Sequence, residues 1–250
     1  MNRVIAVARA TGCGSVTKIA AFVAILALPG VASAQSFRCA VPQSVDVPHE
    51  DGPSADQPRR VLPIGGYTLA ISWAPEFCRG KARKATTKFE CASGNRFGFT
   101  LHGLWPDGEG ALWPQYCAPA QILSPATLRR NLCATPSVQL LQHEWAKHGT
   151  CTGLGADAYF DKATRLFARL RYPDMDALSH RSLSAGRLAK AVAAANPGID
   201  AAMMRITANR KGWLDEIWFC LDTRMRFARC PAHQGGLAQN ARLKIWRGAR

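Results

Sequence analysis

The chain has 250 residues, 48% of them apolar and 20% charged, with 32 Lys and Arg against 17 Asp and Glu. That length limits it to one large domain or two small ones. The formal charge of +15 favours polyanionic partners through steering and counterion release; many exported proteins are equally basic, so charge alone assigns no partner.

Residues 1–34 carry Arg3, Arg9 and Lys18 ahead of a short apolar run, IAAFVAILAL at 19–28, and end in ASA at 32–34. This pattern predicts a secretory signal cleaved after Ala34. The apolar run falls short of the roughly 20 residues a bilayer needs, and no second one of spanning length follows. The expected product is therefore secreted, periplasmic or extracellular, with no membrane attachment after cleavage. Removing the three cations of 1–34 from the formal +15 leaves +12. Residues 35–60, rich in Pro, Ser, Asp and Gly and without periodicity, read as a flexible arm. Residues 61–250 read as a single domain without repeats.

Within that domain, YTLAISW at 67–73 alternates as a strand does. RFGFTLHGLW at 96–105 reads as a second strand ending at Pro106. TPSVQLLQHEWAKHG predicts a helix with Thr135 as N-cap, Pro136 in the first turn and Gly149 past its end. Val138, Leu141 and Trp145 give that helix an apolar stripe. Two more amphipathic helices are expected at 158–172 and 183–196, the latter stopped by Pro197-Gly198. WLDEIWFCLD at 213–222 and RLKIWR at 242–247 read as strands. Strands, then helices, then strands point to an α+β fold with a mainly antiparallel sheet flanked by helices. Beyond residue 34 there are eight cysteines, an even count that argues for disulfides in a secreted chain. Cys78–Cys91 and Cys220–Cys230 are the natural local pairs. No C-x-x-C occurs, which speaks against a zinc ribbon.

The segment HEWAKHGTC, 143–151, looks at first like the H-E-x-x-H of zinc peptidases. Those enzymes place two histidines four apart on one helix face. His143 and His148 are five apart and diverge by roughly 140° at about 100° per residue, a spacing ill-suited to one shared metal ion. Glu144 and His148 are instead neighbours, and Lys147 lies within reach of both Glu144 and His143. The bland alternative is a solvated helix end whose cations suit the macrodipole. A third histidine, His102, stands in the apolar strand FTLHGLWPDG. Strand alternation sets it opposite Leu101 and Gly103, aimed at a cleft while they pack; a satisfied core histidine is the plain alternative.

FTLHGLWP and HEWAKHGTC resemble the two active-site segments of the ribonuclease T2 family, secreted acid-type endoribonucleases, and the short signal and compact loops have a bacterial look. YTLAISWAPEFC resembles the family's N-terminal strand and cysteine, and EIWFCLD its C-terminal disulfide region. The likeness covers residues 64–232 and does not extend to the arm or Cys39. It implies cleavage of single-stranded RNA by transesterification through a 2′,3′-cyclic phosphate, with no metal or other cofactor. The resemblance makes His102 and His148 the acid–base pair, with His148 assigned as base and His102 as acid; the reverse stays open. Glu144 and Lys147 would stabilise the phosphorane, and His143 would bind phosphate or orient the leaving group. Trp105 would stack on a base, Asp107 would hydrogen-bond one, and Tyr116 would be a second stacking residue or core filling. The family suggests Cys117–Cys151, which leaves Cys39 with Cys133 by elimination. DNA, lacking the 2′-hydroxyl, is expected to be inert, and the protein is expected to be monomeric. His49, His180 and His233 read as surface residues, and Lys81, Arg83, Lys84 and Lys88 as a solvated basic loop. Two rivals remain: a silent polyanion-binding or cytotoxic protein on the same scaffold, and a metal-dependent phosphodiesterase or peptidase.

Overall fold

A computed structural model describes residues 36–81 and 84–248. The expected export signal at 1–34 and Arg83 of the basic loop lie outside the described residues. In chain order the first half runs β1 (Ser36–Arg38), β2 (Gly66–Trp73), α1 (Ala74–Phe77), α2 (Lys88–Cys91), β3 (Arg96–Phe97) and β4 (Phe99–Asp107). Four helices follow: α3 (Pro125–Asn131), α4 (Val138–Lys147), α5 (Ala156–Arg169) and α6 (Met175–Ser179). The chain closes with β5 (Leu183–Ser184), α7 (Ala185–Ala195), β6 (Met204–Ala208), β7 (Leu214–Leu221) and β8 (Arg242–Leu243).

The main sheet has the order β4-β2-β7-β6, antiparallel throughout, as the sequence led one to expect. Two two-stranded ribbons, β1-β3 and β5-β8, complete the strands. Along β2 the side chains divide by period two. Tyr67, Leu69, Ile71 and Trp73 join the apolar core, with Phe99, Leu101 and Leu104 of β4 and Ile217, Phe219 and Leu221 of β7. Helix α5 supplies Tyr159, Phe160, Ala163, Leu166 and Phe167 to that core, one stripe at helical spacing. Leu188, Ala189 and Val192 of α7 do the same. The other face of the sheet carries Thr68, Ser72, His102, Trp105, Asp107, Glu216 and Trp218; there Thr68 meets Asp107, and Ser72, His102 and Trp218 meet Glu216.

Several boundaries differ from expectation for local reasons. The 96–105 strand divides into β3 and β4, and β4 runs through Pro106, which pairs with Tyr67, to Asp107. Helix α4 starts two residues late. Its N-cap is Ser137, whose hydroxyl accepts from Leu140 N at 3.2 Å. The Thr135 hydroxyl instead donates to Leu101 O at 2.8 Å, so the expected cap is spent on tying the helix entry to the strand just before His102. RLKIWR forms only the two-residue β8. All four disulfides take the expected pairs: Cys39–Cys133, Cys78–Cys91, Cys117–Cys151 and Cys220–Cys230.

Candidate active site

The site begins with an irregularity in β4. Ala70 pairs with Gly103 and Ile71 with Leu101, so His102 has no opposite number on β2. Strict alternation would place Trp105 on the face opposite His102. The extra residue of this bulge restores them to one face, and their rings meet edge-on at 5.0 Å. Gly103 is required at the same place. A Cβ there would overlap the carboxylate of Glu144, so only glycine lets the buried acid of α4 enter beside the strand.

His102, Trp105, Asp107, His143, Glu144, Lys147 and His148 line one cleft of about 360 Å³. Tyr116 does not line it. Its ring is buried, edge-on to His143 at 6.5 Å, and its hydroxyl donates to Asp51 Oδ1 at 3.0 Å. Two larger clefts of about 610 Å³ open elsewhere, around residues 178–183 with 242–248 and around Cys78–Cys91, and neither contains these histidines.

His102 Nδ1 donates to Glu216 Oε1 at 2.5 Å, and its Nε2 stands 3.6 Å from Glu144 Oε1. Glu216 also accepts from Ser72 Oγ and Trp218 Nε1, each at 2.7 Å. Burial pulls the His102 imidazolium downward, but the Glu216 hydrogen bond and the charges of Glu144, Glu216 and Asp215 prevail and raise its pKa to about 9. Burial pushes Glu216 up, yet its donors and the charge of His102 hold it below the usual range.

His148 is the opposite case. It is only 6% exposed, and its Nδ1 is buried without a hydrogen-bond partner among the described residues. Burial, with the neighbouring Lys147, His143 and His102, drives its pKa well below the ordinary value. Glu144, 2% exposed, accepts from Trp105 Nε1 at 2.8 Å and is pushed up by burial against the pull of His102, His143, Trp105 and Lys147. Burial lowers Lys147. The His143 and His148 rings lie 6.4 Å apart and nearly perpendicular. Among the described residues no group of three or more His, Cys, Asp and Glu side chains is arranged to hold a metal ion.

Trp105 sits between the imidazoles, edge-on to His102 and 5.5 Å from His148. Asp107 is held by Thr68 Oγ1 at 2.7 Å, and Thr68 in turn accepts from Gln234 Nε2 at 3.0 Å. The exposed aromatic at the rim is Trp113, 43% exposed. Sequence reasoning missed Glu216, Trp113, Trp218 and Gln234, and took His233 for an ordinary surface residue, whereas it is exposed but borders the cleft. Glu216 and Trp218 had one faint signal, a charge and an indole two apart in an otherwise apolar strand.

Residues 64–230 match the model of the ribonuclease T2 family. A Haemophilus influenzae protein described as "Probable ribonuclease" is 30% identical over 181 residues, which are 68% of this chain and 62% of that protein. An Aeromonas hydrophila "Ribonuclease" is 32% identical over 162 residues, 62% of this chain and 71% of the relative. The chain thus spans less than two thirds of the Haemophilus protein. The crystal structure of RNase NT in complex with 5′-AMP superposes with a TM-score of 0.58 at 21% identity, covering 74% of this chain and 98% of the other, which fixes the fold. With the family's model covering both histidine segments and most of the β-sheet, the chain belongs to the ribonuclease T2 family.

Proposed function

We propose that the protein is an endoribonuclease that cleaves single-stranded RNA by transesterification, leaving a 2′,3′-cyclic phosphate. The carrying observation is one cleft holding two imidazoles with opposite proton affinities: His102 drawn up by Glu216 and Glu144, His148 drawn down by burial and cations. Near neutrality one is an acid and the other a base without further adjustment. Neutral His148 takes the proton of the ribose 2′-hydroxyl as that oxygen attacks phosphorus. Protonated His102 gives its proton to the departing 5′-oxygen. The negative charge that builds between these events lies near Lys147, whose ammonium favours the phosphorane, and near His143. Glu144 lies beside both and steadies their placement. The nucleophile belongs to the substrate, so the protein has to supply only the base, the acid and the charge around phosphorus.

In-line attack needs a flexible, unstacked linkage, which favours single strands. Trp113 on the rim and Trp105 in the cleft each offer a base a stacking surface. Four disulfides support export to an oxidising compartment, and we assign residues 1–34 as the export signal, 35–60 as a preceding arm and 61–250 as the nuclease domain.

The test is cleavage of single-stranded RNA in excess EDTA, with 3′ ends analysed, for the wild type and His148→Ala. Cyclic-phosphate ends that fall at least about 100-fold in the variant support the two-histidine reaction. Wild-type cleavage lost in EDTA would overturn the metal-free mechanism. RNA bound but never cut would make the protein a polyanion binder.

A further inference from the structure

Asp51 lies in the arm, ahead of the residues 64–230 that match the family, yet it touches the site. Its Oδ2 is 2.9 Å from His143 Nδ1, and its Oδ1 accepts from the Tyr116 hydroxyl at 3.0 Å. A carboxylate can only accept, so this contact places the hydrogen of the His143 ring on Nδ1 and leaves Nε2 for the cleft. The side chain of Asp51 is 18% exposed, against 28% for His143, so the pair is largely shielded from water.

The arm has the fixings such a role needs. His49 N donates to Gln139 Oε1 at 2.8 Å, and Gln139 Nε2 returns a bond to His49 O at 3.3 Å. Gln139 and His143 are four apart on α4 and share a face. Arg60 and Gln115 exchange backbone hydrogen bonds at 2.9 and 2.8 Å, and Cys39 is bonded to Cys133 at the other end. The segment that carries Asp51 is therefore laid along the face of α4 that presents His143.

We propose that Asp51 is a positioning residue for His143: the N-terminal arm, clamped along α4, fixes the tautomer and ring orientation of a site histidine from outside the family domain, so that its Nε2 faces the cleft as an acceptor for a hydroxyl of the ribose–phosphate substrate. The hydroxyl role rests on the ribonuclease reading above; the tautomer does not.

The test uses the full mature chain with Asp51→Ala, His143→Ala and the double variant, read on a ribodinucleotide and by nitrogen NMR of the His143 ring. Asp51→Ala is expected to lower kcat/KM about tenfold, as misplacement of a site group does. The double variant is expected to be no slower than His143→Ala alone, because the two act as a unit; losses that multiply overturn the proposal. In the wild type His143 is expected to carry its proton on Nδ1, a signature that Asp51→Ala disperses; an unchanged ring spectrum also overturns it. That spectrum needs no turnover, so it decides the matter even if the protein cuts no RNA. Asp51→Asn guards against misfolding by keeping the shape. Its amide oxygen can still accept from Nδ1, so activity well above that of Asp51→Ala is expected, and an Asp51→Asn as slow as Asp51→Ala counts against the proposal.

Discussion

In the proposed reaction, Glu216 decides which histidine is the acid. It binds His102 at Nδ1 and holds that ring protonated far above the ordinary range, to about 9. The base must be neutral and the acid charged, so kcat/KM should rise through the depressed pKa of His148, stay level, and fall as His102 loses its proton near 9. Glu216→Gln keeps an acceptor and removes the charge, so the alkaline fall should move to lower pH by about one unit or more. An alkaline limb that stays put in the variant would refute the assignment of His102 as the acid. The sequence could not supply Glu216. The histidines stand in compact linear segments with matching residue types, whereas Glu216 meets His102 across a separation of 114 residues. That meeting is set by strand register, and one residue of slip would turn the carboxylate to the other face. Asp51 was hidden for a different reason. Its Pro- and Gly-rich surroundings have no periodicity, and its placement depends on partners far along the chain.

Among the elements, β4 and α4 show how local rules were read correctly in kind and missed in detail. The apolar stripe of α4 was legible, and Leu141 is fully buried in the core. Its start was not, because Thr135 and Ser137 are both good caps and only the tertiary bond to Leu101 O removes one of them. Ser137→Ala should therefore cost about 1 kcal/mol, a fall in Tm of about 2–4 °C for a domain of this size. Thermal unfolding followed by circular dichroism checks this, and an unchanged midpoint would move the cap elsewhere. The strand β4 was recognised by its apolar alternation, but that alternation predicts one regular face. The bulge at His102 breaks it, and nothing in FTLHGLW announces the break except Gly103, whose need becomes plain only once Glu144 is seen against it.

Across the whole molecule, the α+β class and antiparallel sheet followed from element order, whereas the short helices α1, α2, α3 and α6 gave too little pattern to detect. The surplus of cations acts at this scale. Binding of an uncleavable 2′-deoxy oligonucleotide should weaken with salt, the log–log slope changing by about 0.7 for each phosphate neutralised. Engagement of His102 and Lys147 alone gives a slope of about −1.4 by that rule. Titration at several salt concentrations measures it, and a flat profile would show that charge plays no part in holding the strand.

The disulfide Cys117–Cys151 joins the loop after β4 to the end of the α4 segment, while Cys39–Cys133 holds the arm. These bonds survive when the fold melts. A boiled chain thus stays looped, with its distant segments still tethered, and each closed loop denies the denatured state roughly 3–5 kcal/mol of entropy. Boiling followed by cooling should return most of the nuclease activity, whereas the same cycle with a thiol reductant should abolish it. Equal loss in both would mean that the tethers do not guide recovery. On that expectation, reduction of the disulfides, and not heating, is the treatment that inactivates this protein.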